Sequence, residues 1–104
     1  MTSSEQLFHE IASALPNTKE GKMFGALCIK AANGKALAML WKNDMIFKLE
    51  GKSLQEALSL DGAKLFEPMD NRPMRGWVQL TFDYSGRWME FAEKSLEYVA
   101  NIKT

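Results

Sequence analysis

The fold of this protein is decided by the stretch 22–41, which reads KMFGALCIKAANGKALAMLW. Apolar residues alternate on both sides of the Asn33-Gly34 dipeptide, the pattern that is typical of β-strands. Asn-Gly accepts the positive φ angles of a type I′ turn, so the chain is expected to reverse there into an antiparallel partner. The first strand is predicted over 22–29, with Gly25 inside it, and the second over 35–41.

Further elements are predicted on both sides of this hairpin from apolar spacing and from capping and stop signals. The segment 17–21 is polar, ends in glycine and is predicted to be a loop. The other elements are a helix from a Ser3–Gln6 capping box to Leu15, a strand over 45–49, a short helix from a Ser53–Glu56 capping box, a brief strand over 63–67, a strand over 74–82, and a final helix capped by Asp83 or Ser85.

The predicted element order is α-β(3)-α-β(2)-α. Strands that are grouped, with only helical crossovers between the groups, favour a two-layer α+β fold in which helices cover one face of an antiparallel sheet. A chain of 104 residues fits one domain, and no linker or repeat divides it. We therefore expect a single domain over residues 1–104.

Composition excludes several classes of function. Thirteen basic and thirteen acidic residues cancel, which disfavours non-specific binding to nucleic-acid backbones. Cys28 is the one cysteine, and the N-terminal residues do not resemble a signal peptide, so we expect a cytoplasmic protein. No uncharged stretch approaches the roughly 20 apolar residues of a membrane-spanning helix, so we expect no membrane association.

The sequence offers no recognisable catalytic, cofactor or metal-binding constellation. His9 is the single histidine, and one His with one Cys falls short of the three or four ligands of a zinc site. We interpret His9 as a helix-surface residue and Cys28 as a buried, unreactive strand residue. The protein is thus expected not to be an enzyme and to need no cofactor.

One group of residues is a candidate interaction patch. Guanidinium groups beside aromatic rings recur on surfaces that bind proteins and on those that bind single-stranded nucleic acid. The alternative is a solvated rim in which arginine stems cover tryptophan rings, and zero net charge favours it. If Phe24 and Trp88 are instead core residues, truncating either to alanine should cost about 3–5 kcal/mol. The patch comprises Arg72, Arg75, Trp77, Arg87 and Trp88.

Several short motifs together resemble the N-terminal domain of the TfoX/Sxy family. They are KMFG at 22–25, NGK at 33–35, the strand at 44–49, FEP at 66–68, RPM at 72–74 and WV at 77–78. The resemblance covers nearly the whole chain and implies a secretion-chaperone-like arrangement, α-β(3)-α-β(2)-α. A more distant similarity links the chain to the YjbR/MmcQ family, which is suggested to bind DNA.

The resemblance implies a bacterial regulatory module, since full-length TfoX/Sxy proteins regulate competence genes. It supplies no catalytic residue. The leading hypothesis is a non-enzymatic module that binds a protein partner or a second copy of itself. A nucleic-acid-binding module that uses the arginine and tryptophan patch is the second hypothesis, and a small-ligand carrier or uncharacterised enzyme is the third.

Overall fold

A computed structural model of the protein describes residues 3–23, 25–69 and 72–102, and for residues 68, 69 and 72–75 it describes the backbone alone. The described strands form one antiparallel sheet in the order β1-β2-β3-β4-β6-β5. This confirms the α+β class. The elements are α1 (Ser3–Ala14), β1 (Lys19–Met23), β2 (Ala26–Lys30), β3 (Ala36–Trp41), β4 (Asp44–Lys48), α2 (Gly51–Leu58), β5 (Lys64–Met69), β6 (Arg72–Leu80), a 3₁₀ turn (Phe82–Tyr84) and α3 (Ser85–Ala100).

The predicted strand over 22–29 is wrong, because it is a hairpin of two strands. Met23 at the end of β1 pairs with Ala26 at the start of β2, and Gly25 between them has a φ of +76°. The predicted loop over 17–21 likewise enters β1 at Lys19. The observed order is therefore α-β(4)-α-β(2)-α, with one strand more than the sequence predicts. β1 lies at the edge of the sheet, so it can be polar.

The hairpin at Asn33-Gly34 is confirmed, but its turn is not type I′. The loop has three residues, since Ala31 N donates to Lys35 O at 2.9 Å and Gly34 N donates to Ala31 O at 2.9 Å. Within this loop, Gly34 alone has a positive φ, +84°. This matches the known class of three-residue hairpin loops whose last residue is in the left-handed conformation. The Asn33 side chain donates from Nδ2 to Val99 O at 2.9 Å, so the loop also holds the end of α3.

The predicted side-chain caps of the later helices are also wrong. α2 begins at Gly51, before Ser53, because Leu54 N already donates to Glu50 O at 3.3 Å. α3 begins at Ser85 with Tyr84 as its N-cap, and no side-chain cap bond forms there. β6 ends at Leu80, two residues before its predicted end.

The helices of the described chain pack on one face of the sheet, as predicted. Residues of all three helices share one buried core with alternate residues of the strands. Its largest fully buried side chains are Phe8, Phe47, Phe91 and Trp88. Among the residues that the structure describes, no helix has the length and apolar character needed to cross a membrane.

Candidate interaction face

The structure separates the two tryptophans of the predicted patch. Trp88 on α3 is fully buried in the helix-side core, where its Nε1 donates to Thr81 O at 3.2 Å. Trp77 on β6 is 8% exposed and packs in a second cluster on the opposite face of the sheet. The two rings therefore do not form one surface.

Arg87 lies on the helix side, within a network of charges between α2 and α3. Its guanidinium donates to Glu56 and, at 2.9 Å, to Glu90. Lys94 Nζ donates to the same two carboxylates at 3.1 and 3.3 Å. Both cations also lie over the Phe91 ring. The charge of Arg87 is thus balanced locally, and the residue joins two helices.

These contacts shift the pKa values of the network. Hydrogen bonds from Arg87 and Lys94 lower the pKa of Glu56, and the bond from Arg87 lowers the pKa of Glu90. The same bonds raise the pKa of Arg87 and the pKa of Lys94. All four groups are therefore charged at neutral pH, as an ion-pair network requires.

The two remaining arginines of the predicted patch cannot be placed with the others. Arg72 and Arg75 belong to β6, and their side chains lie outside the described residues. Phe24, a predicted core residue, also lies outside them. Within the described chain the predicted patch is divided between the two faces of the sheet.

The face of the sheet opposite the helices carries an apolar cluster, and we call this face the open face. An exposed face of an antiparallel sheet usually has polar residues at alternate positions. Here the central positions are apolar and at most 8% exposed, and partly exposed apolar residues surround them. The centre consists of Cys28, Met39, Ile46, Phe66 and Trp77, and the surrounding residues are Met23, Ala26, Ala36 and Trp41.

Large side chains shield the centre of the open face. Trp41 meets Phe66 edge to face, with ring centroids 5.2 Å apart. Lys48 places its Nζ 5.4 Å from the centroid of the Trp77 ring, which is its direct neighbour across β4 and β6. The three aromatic rings described on this face, those of Trp41, Phe66 and Trp77, thus each contact another side chain of the protein.

Lysines surround the apolar centre. Lys48 follows Ile46 by two residues and Lys30 follows Cys28 by two, so both lie on the open face. Lys19 pairs with Lys30, and Lys64 pairs with Gln79, the cross-strand neighbour of Ile46. The patch predicted from the sequence does not include Lys30 or Lys48, although each lies two residues from an apolar strand residue, which was a usable signal.

One acidic residue, Asp44, is described on the strands of the open face. It pairs with Trp41 across the β3–β4 turn, and its Oδ2 accepts a hydrogen bond from Gln79 Nε2 at 2.6 Å. The single negative charge of Asp44 offsets only one of the four lysine charges described on this face. The described open face is therefore basic.

Cys28 is buried at the centre of the open face, as the sequence predicts. Burial raises the pKa of its thiol, although Lys30 lowers it in part. Gly21 lies opposite, and a Cβ built there would sit 3.3 Å from Lys30 Cε and 3.7 Å from the Cys28 Sγ. The thiol is therefore protonated and enclosed, which is unsuitable for a nucleophile.

His9 joins α1 to the edge of the sheet. Its Nδ1 is 2.8 Å from Glu20 Oε1 on β1, and its ring packs edge-on against Phe8. These contacts give His9 a structural role on the surface. Nowhere in residues 3–23, 25–69 and 72–102 do three His, Cys, Asp or Glu side chains come together as metal ligands would.

Of the concave regions on the described chain, two lie beside the residues discussed above. One of 390 Å³ lies between α2 and α3 and is lined by residues that include Ser53, Lys94 and Tyr98. The other, of 430 Å³, lies at one end of the open face beside Ala26 and Trp41. The second is an open depression that Leu40 and Lys42 also line.

Comparisons of the chain with the models of known protein families, with curated proteins and with solved structures found no match.

Proposed function

We propose that this protein is a non-enzymatic interaction module that binds a protein partner through its open face. The observation that carries the proposal is the partly exposed apolar margin around the buried cluster, on the face of the sheet that no described helix covers; its residues are Met23, Ala26, Ala36 and Trp41. Apolar surface outside the helix-side core is a common property of sites where proteins bind each other. Trp41, Ala26 and Ala36, each partly exposed, are the residues that a partner would contact first.

The region beside Trp41 supports a protein ligand. Protein interfaces are anchored by a few apolar or aromatic side chains seated in pockets. The open 430 Å³ concavity lined by Gly25, Ala26 and Trp41, with Leu40 and Lys42, lies next to the apolar cluster and offers a place for such a side chain. An apolar side chain of the partner placed there would bury surface on both molecules.

The resemblance to the TfoX/Sxy N-terminal domain supports a regulatory setting. It rests on the KMFG motif at 22–25 and the motifs that follow it. On this basis we place the module in the bacterial cytoplasm, in the regulation of competence or transcription. The partner would then be another regulatory protein or a second copy of this chain.

A pull-down with matched variants tests the proposal. Ala26→Gln and Ala36→Gln each add a polar side chain to the open face, whereas Ala100→Gln adds the same side chain to the exposed end of α3. We expect wild type and Ala100→Gln to retain the same protein from a lysate of the native host, and the two open-face variants to lose it. Circular dichroism confirms that all variants are folded.

Light scattering at several protein concentrations tests whether the partner is a second copy of this chain. A dimer formed through the open face should dissociate in Ala26→Gln and Ala36→Gln and persist in Ala100→Gln. The proposal is wrong if wild type shows neither a retained protein nor a dimer, or if the open-face variants behave like wild type.

A further inference from the structure

The zero net charge of the protein conceals two layers of opposite charge. Among the side chains that the structure describes, the strands present four lysines and one aspartate on the open face, Lys19, Lys30, Lys48, Lys64 and Asp44. The three described helices carry six acidic and three basic residues. A surface of one sign attracts ligands of the opposite sign even when the whole molecule is neutral.

The lysines argue against a second copy on the open face. A symmetric dimer places the same patch of both copies in contact. Two open faces brought together would set the lysines of one copy against those of the other, and like charges across an interface are unfavourable. The charge of this face therefore fits a different molecule.

The aromatic rings argue against single-stranded nucleic acid. Proteins that bind it stack bases on exposed aromatic faces. On the open face, Phe66 is 1% exposed and Trp77 8% exposed. The Trp77 ring is covered by Lys48, and Trp41 meets the Phe66 ring. Lysines could still contact phosphates, but among the described rings of this face Trp41 alone is partly exposed, and one such ring does not provide a series of surfaces on which successive bases stack.

We infer that the open face binds an acidic, amphipathic segment of a partner protein. Apolar side chains of the segment would pack on Ala26, Ala36 and Trp41 and enter the adjoining concavity. Its carboxylates would lie near Lys30 and Lys48, whose partly exposed side chains border the apolar centre. The inference rests on the proposed function and adds the chemistry of the partner.

Three synthetic peptides of equal length test this chemistry. All carry the same apolar residues, and the positions between them are glutamate in one, glutamine in the second and lysine in the third. Binding is followed by isothermal titration at low and high salt. We expect the glutamate peptide to bind most tightly and its affinity to fall as salt rises, because screening weakens exposed charge pairs.

Lysine variants locate the binding face. Lys30→Gln and Lys48→Gln should each weaken binding of the glutamate peptide by about two- to fivefold, the effect of one exposed charge pair. Lys52→Gln on α2 changes the net charge equally but lies on the helix side, so it should leave the affinity unchanged. The melting temperatures of the three lysine variants, compared with that of wild type, show whether a loss of binding reflects a loss of folding.

Other outcomes overturn the inference. Equal binding of the glutamine and glutamate peptides would remove the acidic requirement, while the pull-down with Ala26→Gln could still support an interaction module. Tighter binding of oligo-deoxythymidine than of the glutamate peptide would point to nucleic acid instead. If no peptide binds, the inference is wrong, and the pull-down decides the proposed function separately.

Discussion

Asn33 uses both polar atoms of its side-chain amide. Oδ1 accepts from Lys35 N at 3.0 Å within the β2–β3 loop, and Nδ2 donates to Val99 O at the end of α3. Aspartate can replace the acceptor but not the donor, and it would bring a negative charge to a helix C-terminus. We expect Asn33→Asp to lower the free energy of unfolding by about 1 kcal/mol in urea melts.

The matched control is Asn43→Asp. Asn43 lies exposed in the two-residue turn between β3 and β4, where its backbone carbonyl, not its side chain, accepts a hydrogen bond from Ser4 Oγ. The free energy of unfolding of this variant should stay within about 0.5 kcal/mol of wild type. Equal effects of the two substitutions would show that the bond to Val99 contributes nothing.

Trp88 and Phe82 form a second contrast between single residues. Their rings meet edge to face at 5.5 Å, yet Trp88 is fully buried and Phe82 is 40% exposed. Removing the buried ring leaves a cavity in the helix-side core and removes one of the two hydrogen bonds that Thr81 O accepts, the other being donated by Tyr84 N at 3.0 Å. We expect Trp88→Ala to cost about 3–5 kcal/mol of unfolding free energy and Phe82→Ala less than about 1.5.

Denaturant melts followed by circular dichroism measure both variants without depending on tryptophan emission. A cost below about 1 kcal/mol for Trp88→Ala would contradict its place in the core.

At the scale of elements, the charge network between α2 and α3 predicts a pH dependence. The pKa of Glu56 is lowered in the folded chain from its ordinary 4.5. A group whose pKa is lower in the folded state stabilises it fully above the unfolded pKa, and this contribution is lost as pH falls through the folded pKa. The stability difference between wild type and Glu56→Gln should therefore be largest above pH 4.5 and shrink below it.

Urea melts between neutral and acidic pH measure this difference. Glu93→Gln is the control, since Glu93 is exposed on the same helix α3 that carries Glu90 and Lys94. Its difference from wild type should be small at every pH. A constant gap between wild type and Glu56→Gln across the acidic range would contradict the network.

The β1–β2 hairpin is an element that the apolar periodicity of the sequence does not predict. Counting every second residue from Lys22 continues past Gly25 without interruption and so puts Met23 on the side of Leu27. The chain reversal between Met23 and Ala26 inverts that alternation, and Met23 in fact pairs with Ala26 on the open face. The Asn33-Gly34 reversal was predictable because Asn-Gly is a strong turn signal, whereas the bond from Asn33 to the distant Val99 carbonyl was not, because local sequence does not show that α3 ends beside this loop.

At the scale of the whole molecule, the predicted patch and the observed face differ for a similar reason. Trp77 and Trp88 are close in sequence, but β6 directs Trp77 to the open face while α3 packs Trp88 against the other side. The net charge calculated from composition likewise carries no information on where the charged residues lie in the fold. The sequence therefore predicted the class of fold, whereas the basic open face required the strand register that assigns Lys30, Lys48 and Lys64 to one side.

The separation of charge makes a prediction for the whole molecule that needs no partner. At pH 7 the formal net charge is zero, so a uniformly charged surface would bind weakly to a sulfonate cation exchanger. A basic open face should instead hold the protein on the resin at low salt, with that face toward it. Lys64→Gln and Lys52→Gln change the net charge equally, but Lys64 lies on the open face and Lys52 on α2. We expect Lys64→Gln to elute at clearly lower salt than Lys52→Gln. Identical elution of the two variants would show that the charges of the molecule act only through their sum.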